Sequence, residues 1–587
     1  MIFKALACDY DGTLASENRL APATIAALKE ARETGIHLIL VTGRSFFELT
    51  RVCERLDLFE AVVAENGGVI YFPGAGVIKS QAPPPPERLL AELDRRDIYY
   101  EVGRVIVGTA RNDEQAVREA LAATGVSLDL VYNRSALMLI PAGVSKGTGV
   151  RQVIGILGLS FHDVMALGDA ENDLDLFEAC GFCACPENAV PQLKERADWV
   201  FPGEDGAGVA SVITGPILEG FLPVDRSPRH RITIGWAVES SEPVTIPERG
   251  VNMLIHGDPL SGKSWLAGAL VERLHGRRYA VLVIDPEGDY RVLRRLPGLA
   301  WMEIHDRSSM ERALGHFDRD PSAAVVADLS ALTHPEKIEM IETGFGLIRR
   351  GRRRSGRPHW VFLDEAHYSL HQGGVSDDVV AFEEKGFCLA TYRSSWLRES
   401  VRKAMDILIL ARTTIPEELL FLRTLLGEPT PDGAGVISIL PDLPRQEFVV
   451  MEPHGSGPRR ALTFAATPRE TPHVRHLTKY ADSRVPSGQQ FLFRGPDGRS
   501  VLAAASLNEF RRAVATVDDE VLAYHAERGD FSRWVSDVFS DRELARELRK
   551  TEKRWSRREI HDLRGGIELL IQLRYGSDLW GREQTTS

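Results

Sequence analysis

The sequence predicts a multidomain α/β protein, and three observations carry that expectation. Short apolar runs alternate with amphipathic helical stretches across residues 1–215 and again across 230–468. Several of these runs end directly in Asp or Gly, as strands of open parallel sheets do where ligands bind. The chain has 587 residues, and at roughly 100–200 residues per domain that length calls for three or four domains.

Composition narrows the class. Hydrophobic residues make up 43% and charged residues 26% of the chain, the balance of ordinary globular material. No apolar run approaches the roughly 18 residues of a membrane span. The opening MIFKALACDYDGT becomes charged too early for a secretory leader. A cytoplasmic protein with no membrane partner is therefore expected. The net charge of −12 argues against general coating of nucleic acid. Six cysteines do not suggest a disulfide scaffold. Cys180, Cys183 and Cys185 read as structural thiols on a buried strand rather than as metal ligands.

Taken in order, the first strand, Phe3–Cys8, runs into Asp9-Tyr10-Asp11-Gly12-Thr13. Two carboxylates two residues apart share one face of an extended segment. One can attack a phosphoryl group, and the other can shuttle a proton. Three further pieces follow. The strand Leu38–Val41 ends in Thr42-Gly43-Arg44, Lys146 stands before a helix in Gly-Val-Ser-Lys-Gly, and Val164–Leu167 ends in Gly168-Asp169-Ala170-Glu171-Asn172-Asp173. The last group offers oxygen ligands suited to Mg²⁺.

This ordered set resembles the haloacid dehalogenase superfamily of phosphatases over residues 1–215, including Glu187-Asn188-Ala189 and Gly206-Ala207-Gly208-Val209. The resemblance implies a Rossmann-like core at 1–81 and 141–215. It implies Asp9 as nucleophile and metal ligand, and Asp11 as general acid/base whose backbone carbonyl is a second ligand. Thr42 and Lys146 would hold the phosphoryl group, Asp169 would bind Mg²⁺ with Asp173 in support, and Asn172 would lie near the phosphate. The insert at 82–140 follows the proline run Pro83–Pro86 and alternates strands and a helix. It resembles the small α/β cap of the Cof-like branch, which implies a small phosphorylated metabolite such as a sugar phosphate or phosphoglycolate.

A Pro- and Arg-rich stretch at 216–229 reads as a linker. The second block, 230–468, opens with strands near Ile232–Ile234 and Val244–Ile246. The strand Val251–Ile255 then precedes Gly257-Asp258-Pro259-Leu260-Ser261-Gly262-Lys263-Ser264 and a helix over Trp265–Leu274. In that setting backbone amides cradle phosphates, Lys263 reaches the β and γ oxygens, and Ser264 ligates Mg²⁺. The strand Val361–Leu363 ends in Asp364, a partner for that Mg²⁺, and Glu365, a group able to polarise water. ATP is the expected ligand.

Over 230–450 the chain resembles the HerA/FtsK-like branch of P-loop ATPases. Tyr392 stands where relatives carry a glutamine, which puts sensing of the γ-phosphate in question. Arg412, after the strand Ile407–Ala411, is weighed as a finger acting in trans in a homo-oligomer against a structural surface arginine. The run Arg349, Arg350, Arg352, Arg353, Arg354 and Arg357 is weighed as a nucleic-acid contact against an anchor for acidic surface within the chain, and the anchor is favoured. Pro453–Pro472 reads as the closing stretch of this block. Residues 485–587 read as a mostly helical domain with no catalytic constellation.

The function expected is a Mg²⁺-dependent phosphomonoester hydrolase fused to an ATP-hydrolysing P-loop domain. Two alternatives stand beside it: a HerA-like nucleic-acid motor carrying an end-processing phosphatase, and a phosphatase governed by a nucleotide-binding switch.

Overall fold

A computed structural model describes residues 3–219, 228–426, 431–451, 461–471, 490–539 and 541–575. Most of the expected linker 216–229, and residues 453–460 and 472 of the stretch Pro453–Pro472, lie outside the described residues. The chain divides into two compact units, one of residues 1–286 and 293–471 and the other of residues 287–292 and 472–587.

Two sheets organise the larger unit. In the first, β1 (Ala5–Asp9), β2 (His37–Val41) and β3 (Ala61–Ala64) are parallel, and β4 (Val69–Phe72) and β5 (Val77–Ser80) extend the edge antiparallel. An inserted four-stranded sheet follows, built from β6 (Tyr100–Val102), β7 (Val107–Ala110), β8 (Asp129–Asn133) and β9 (Ala136–Ile140), with helices α1 (Glu87–Arg95) and α2 (Glu114–Thr124). Its core is small and apolar, with Leu89, Leu93, Val117, Leu137 and Leu139 fully buried. The chain then returns through helix α3 (Lys146–Ile156) to β10 (Val164–Leu167), β11 (Phe182–Pro186) and β12 (Trp199–Phe201). The first sheet reads β12-β11-β10-β1-β2-β3-β4-β5. Both of its faces are covered by apolar clusters. Its parallel strands are therefore apolar throughout rather than alternating, and polar side chains gather at their carboxyl ends.

The second sheet has eleven strands. An antiparallel pair, β13 (Arg231–Ala237) and β14 (Pro243–Pro247), precedes β15 (Met253–His256), which leads through the glycine-rich loop into α4 (Lys263–Gly276). Then come β16 (Val281–Asp285), β17 (Leu299–Glu303), β18 (Ala324–Asp328), the long helix α5 (His334–Ser355), β19 (Trp360–Leu363), β20 (Phe387–Thr391), β21 (Ile407–Leu410), β22 (Glu447–Met451) and β23 (Leu462–Ala466). The order is β14-β13-β23-β22-β21-β15-β20-β19-β16-β18-β17. Residues 462–466 were read with the closing stretch, but they form β23 and pair with both β22 and β13. The alternation in that segment is too short to register as a strand by pattern, and tertiary pairing decides it.

The smaller unit holds a hairpin, β24 (Phe491–Arg494) and β25 (Ser500–Ala504), and helices α6 (Leu507–Thr516), α7 (Asp519–Arg528), α8 (Asp530–Phe539), α9 (Arg542–Ser556) and α10 (Leu563–Tyr575). Phe491, Phe493, Phe510, Phe531 and Trp534 form its core. His525 is buried, paired with Asp530 at 2.8 Å, and accepts from the Arg494 amide. Asp530 begins α8 and gives its carboxylate to His525.

Candidate active sites

The first candidate site lies at the carboxyl ends of β1, β2 and β10. Asp9 ends β1, and Lys146 is the first residue of α3, which Ser145 caps through a reciprocal box with Thr148. The Lys146 ammonium donates to Asp9 Oδ1 at 2.5 Å and to Asp173 Oδ1 at 2.6 Å, with 1% of its side chain exposed. Asp173 accepts from the amides of Asp169 and Ala170, each at 3.0 Å, which fixes the loop after β10. Asp169 accepts from Thr13 Oγ1 at 2.9 Å and from the guanidinium of Arg134. Gly12 has a φ of +76°, and a Cβ there would lie 2.5 Å from Asp169 Oδ2, so only glycine fits between the two loops.

Asp9, Asp169 and Asp173 present carboxylate oxygens within 4.8 Å of one another, all buried. Burial raises the Asp9 carboxyl well above its ordinary range, and the Asp173 charge adds to this while Lys146 opposes it. Asp169 is pushed up to about 6 by burial and by Asp173. Burial alone would weaken the Lys146 ammonium, but Asp173 and Asp9 carry it above its usual value. Three carboxylates around one ammonium leave negative charge that a hard divalent cation would relieve, and the all-oxygen donor set fits such an ion. Among the described residues no other cluster of this kind occurs, and Cys180, Cys183 and Cys185 are buried thiols outside it.

The remaining sequence candidates ring this cluster. Thr42 is buried, and its hydroxyl accepts from the Arg44 amide at 3.1 Å. Asp11 stands apart from the three carboxylates, held by Arg44 through two bonds of 2.7 and 2.6 Å. Asn172 donates to Asn66 at 3.0 Å. The inserted sheet contributes two contacts that sequence reasoning missed. Arg134, at the β8–β9 turn, reaches Asp169. Glu65, after β3, accepts from the amides of Arg104, Val105 and Ile106 at the β6–β7 turn, at 2.9, 2.8 and 3.3 Å. Both span more than 30 residues of sequence, and no local pattern announces them.

Scanned against family models, residues 6–88 and 87–213 match the haloacid dehalogenase-like hydrolase family. The phosphoglycolate phosphatase of Methanothermobacter thermautotrophicus is 34% identical over 228 residues, which cover 36% of this chain and 97% of that protein. The chain belongs to the haloacid dehalogenase-like hydrolases. A second relative, the phosphoglycolate phosphatase of Archaeoglobus fulgidus, is 32% identical over 219 residues, 36% of this chain and 95% of that one. A solved Thermoplasma acidophilum structure covers 36% of this chain and 98% of its own at 21% identity, with a TM-score of 0.33. The hydrolase region is a phosphoric monoester hydrolase of this class, and the inserted sheet is its cap. A second family model, the central domain of helicase HerA, matches residues 255–343.

The HerA-like region carries the second candidate site. Gly257 follows β15, and Gly262, at a φ of +107°, opens α4. Lys263 Nζ donates to the Asp258 carbonyl at 2.9 Å, curling back over its own loop. Ser264 Oγ donates to Asp364 Oδ2 at 2.9 Å, across 100 residues of sequence. Strand β20 separates β15 from β19, so Thr391 and Tyr392 emerge between the glycine-rich loop and Asp364. The Lys263 ammonium lies 5.9 Å from the Tyr392 ring. Glu365 has a φ of +48°, left-handed for a non-glycine residue, a conformation that concentrates at functional sites. His367, missed in the sequence although it stands two residues beyond Glu365, hydrogen-bonds Thr391 Oγ1 at 3.0 Å and lies 3.6 Å from Glu365 Oε2. Arg412 gives its backbone carbonyl to the Asp258 amide at 2.9 Å, so it sits at the loop of its own chain.

Part of the arginine run turns inward. Arg352 is buried and donates to the carbonyls of Pro358, Lys385, His359 and Gly386. Arg357 donates to the Gly158 carbonyl of the hydrolase region at 3.0 Å, Arg354 pairs with Asp318, and Arg349 donates to the Asp378 carbonyl.

Proposed function

We propose that the hydrolase region cleaves a small phosphomonoester with Mg²⁺ and an aspartyl-phosphate intermediate on Asp9. The observation that carries this is the buried contact of Lys146 with both Asp9 and Asp173, inside a cluster of three carboxylates. Asp9, Asp169 and the Asp11 carbonyl would hold Mg²⁺, with Asp173 fixing the loop. Bound there, the ion supplies charge to offset the phosphoryl oxygens.

Asp9 would attack phosphorus as the ester oxygen departs with a proton from Asp11. Asp11 would then take a proton from water as that water attacks the acyl phosphate, releasing inorganic phosphate and regenerating Asp9. Thr42 and Lys146 would hold the phosphoryl oxygens. Arg44 would keep Asp11 in place. Arg134 on the cap, beside Asp169, favours a substrate with a second anionic group. The relatives named phosphoglycolate phosphatase support an acidic metabolite of that size.

The test is phosphate release from an aryl phosphate with and without Mg²⁺. Asp9→Asn is expected to lose on the order of 10⁴-fold or more, the scale of removing a covalent nucleophile. Equal turnover by the two proteins would overturn the assignment.

For the HerA-like region, ATP binding at Gly257–Ser264 with Mg²⁺ held by Ser264 and Asp364, and hydrolysis assisted by Glu365, is the reading the Ser264–Asp364 bond supports best. A nucleotide-binding switch is a second reading, favoured by the Tyr392 ring beside Lys263. Because Arg412 lies at its own loop, a part in binding nucleotide within one chain is favoured over a finger in trans. The burial of Arg352 and Arg357 within the fold weakens the sequence motive for a nucleic-acid motor, although Arg350, Arg353 and Arg354 stay exposed.

A further inference from the structure

The smaller unit carries a feature that neither proposed activity uses. A cleft of about 480 Å³ opens between the end of α7, the start of α8 and one face of α9. Arg549, Lys553 and Arg557 recur every fourth residue on that face, the helical path continuing past α9 through the Arg557 amide to the Lys553 carbonyl. Cations at this spacing stack one above another and repel. Arg528 and Arg533 line the wall opposite.

Compensation within the cleft is thin. Asp530 serves both Arg528, at 3.3 Å, and Arg533, at 3.6 Å, and Glu559 stands 3.8 Å from Arg557. Arg549 and Lys553 have no ion pair among the described residues. Glu552 belongs to the cleft and is only 3% exposed. One of its oxygens accepts from the Ser532 amide at 3.1 Å, in the first turn of α8, so its charge is spent on that helix end. Its other oxygen, Oε2, is buried without a hydrogen-bond partner. The chain as a whole carries a net charge of −12, so five cations around one cleft run against its average.

We propose that this cleft binds a small phosphate-bearing metabolite with at least two negative charges, its phosphates between the α9 column and Arg528 and Arg533. Guanidinium forks match phosphate geometry. The volume falls in the range of small-molecule sites, about 300–1,000 Å³. Glu527 and Glu552 in the cleft, and the absence of any aromatic residue from its lining, disfavour a nucleic-acid strand, which wants stacking surfaces and an unbroken cationic track.

The experiment uses the full chain and reads the site locally. Lys553 is acylated by a lysine-directed reagent, and its rate is followed by peptide mass spectrometry with inorganic pyrophosphate present or with sodium chloride at matched ionic strength. Lys550, paired with Glu547, serves as the internal reference. Pyrophosphate is expected to slow Lys553 at least threefold relative to Lys550, and R533A/R549A to abolish the protection while helical circular dichroism is retained. Three results would overturn the proposal: no protection in the unaltered chain, equal protection by sodium chloride, or protection by a single-stranded oligonucleotide where pyrophosphate gives none. The readout does not depend on phosphatase turnover, so its failure and that of the Asp9 reading are separable.

Discussion

Lys146 does its work through position as much as charge. It reaches Asp9 and Asp173 together from a side chain almost wholly out of water, and Coulomb interactions in such a place are weakly screened. Lys146→Met is expected to lower kcat for an aryl phosphate by about 10²–10³-fold, the range for one preorganised electrostatic partner, measured under saturating substrate. Arg134 makes a different kind of contact. Its guanidinium is 55% exposed yet touches buried Asp169, so on the proposed reading it competes with the metal for the same oxygen. Arg134→Ala is expected to lower the Mg²⁺ concentration needed for half-maximal activity several-fold and to raise KM for an acidic substrate, with little change for a neutral aryl ester. An unchanged Mg²⁺ requirement would refute the competition. At this scale Asp9, Thr42 and Asp169 stand out in the sequence because each sits in a short motif at a strand end, and Lys146 because it opens a helix. Arg134 and Glu65 do not, because their partners lie 35 to 41 residues away and are chosen by how the cap folds back.

Strand order decides what each motif can touch. With β20 between β15 and β19, Thr391 and His367 fill the space that joins the glycine-rich loop to Glu365. Glu365→Gln is expected to reduce ATP turnover by about 10²-fold or more, the scale of losing a general base, while fluorescent-nucleotide binding persists. Were unaltered protein to bind ATP with no turnover above that variant, the switch reading would replace the hydrolytic one. Most strands announced themselves. Val164–Leu167 and Val361–Leu363 fall in strands where their apolar runs lie, because a strand buried on both faces has no polar position to blur its ends. By contrast β23 lies beside proline- and glycine-rich sequence, and only its pairing with β13 and β22 makes it a strand.

Across the larger unit, hydrolase and HerA-like regions meet through buried polar contacts. Arg249 donates to the carbonyls of Gly181 and His162 and lies over the Phe3 ring, and His162 stacks on Tyr279 at 3.5 Å. His230 sits between Asp198 at 3.0 Å and Glu248 at 3.1 Å. Burial opposes its charge, but the two carboxylates raise it above the ordinary histidine value. A raised folded-state value means that the His230 contribution is complete below about pH 6.5 and fades as pH climbs through the folded value. His230→Gln is thus expected to lose more thermal stability, relative to the unaltered chain, at pH 6 than at pH 9. An equal loss at both would show that the pair is not ionic. The arginine run offers a contrast within one segment. Arg352→Met strands several buried carbonyls and is expected to cost about 2–4 kcal/mol, whereas exposed Arg354→Ala should cost under about 1 kcal/mol, compared by denaturant midpoints. The sequence displayed this run as a block of charge, but charge alone does not say which guanidinium will be carried inward.

The cap touches the core at opposite ends of its own sheet. Near the β6–β7 turn, a carboxylate with 1% exposure gathers three amides. At the β8–β9 turn, on the far side of β7, one solvated guanidinium makes a single reach. On the proposed reading, the first attachment would serve as a pivot and the second as a clasp. Four residues of strand give a lever arm of about 13 Å, so a swing of about 20° would carry the clasp end roughly 4–5 Å, enough to admit a metabolite without unseating the pivot.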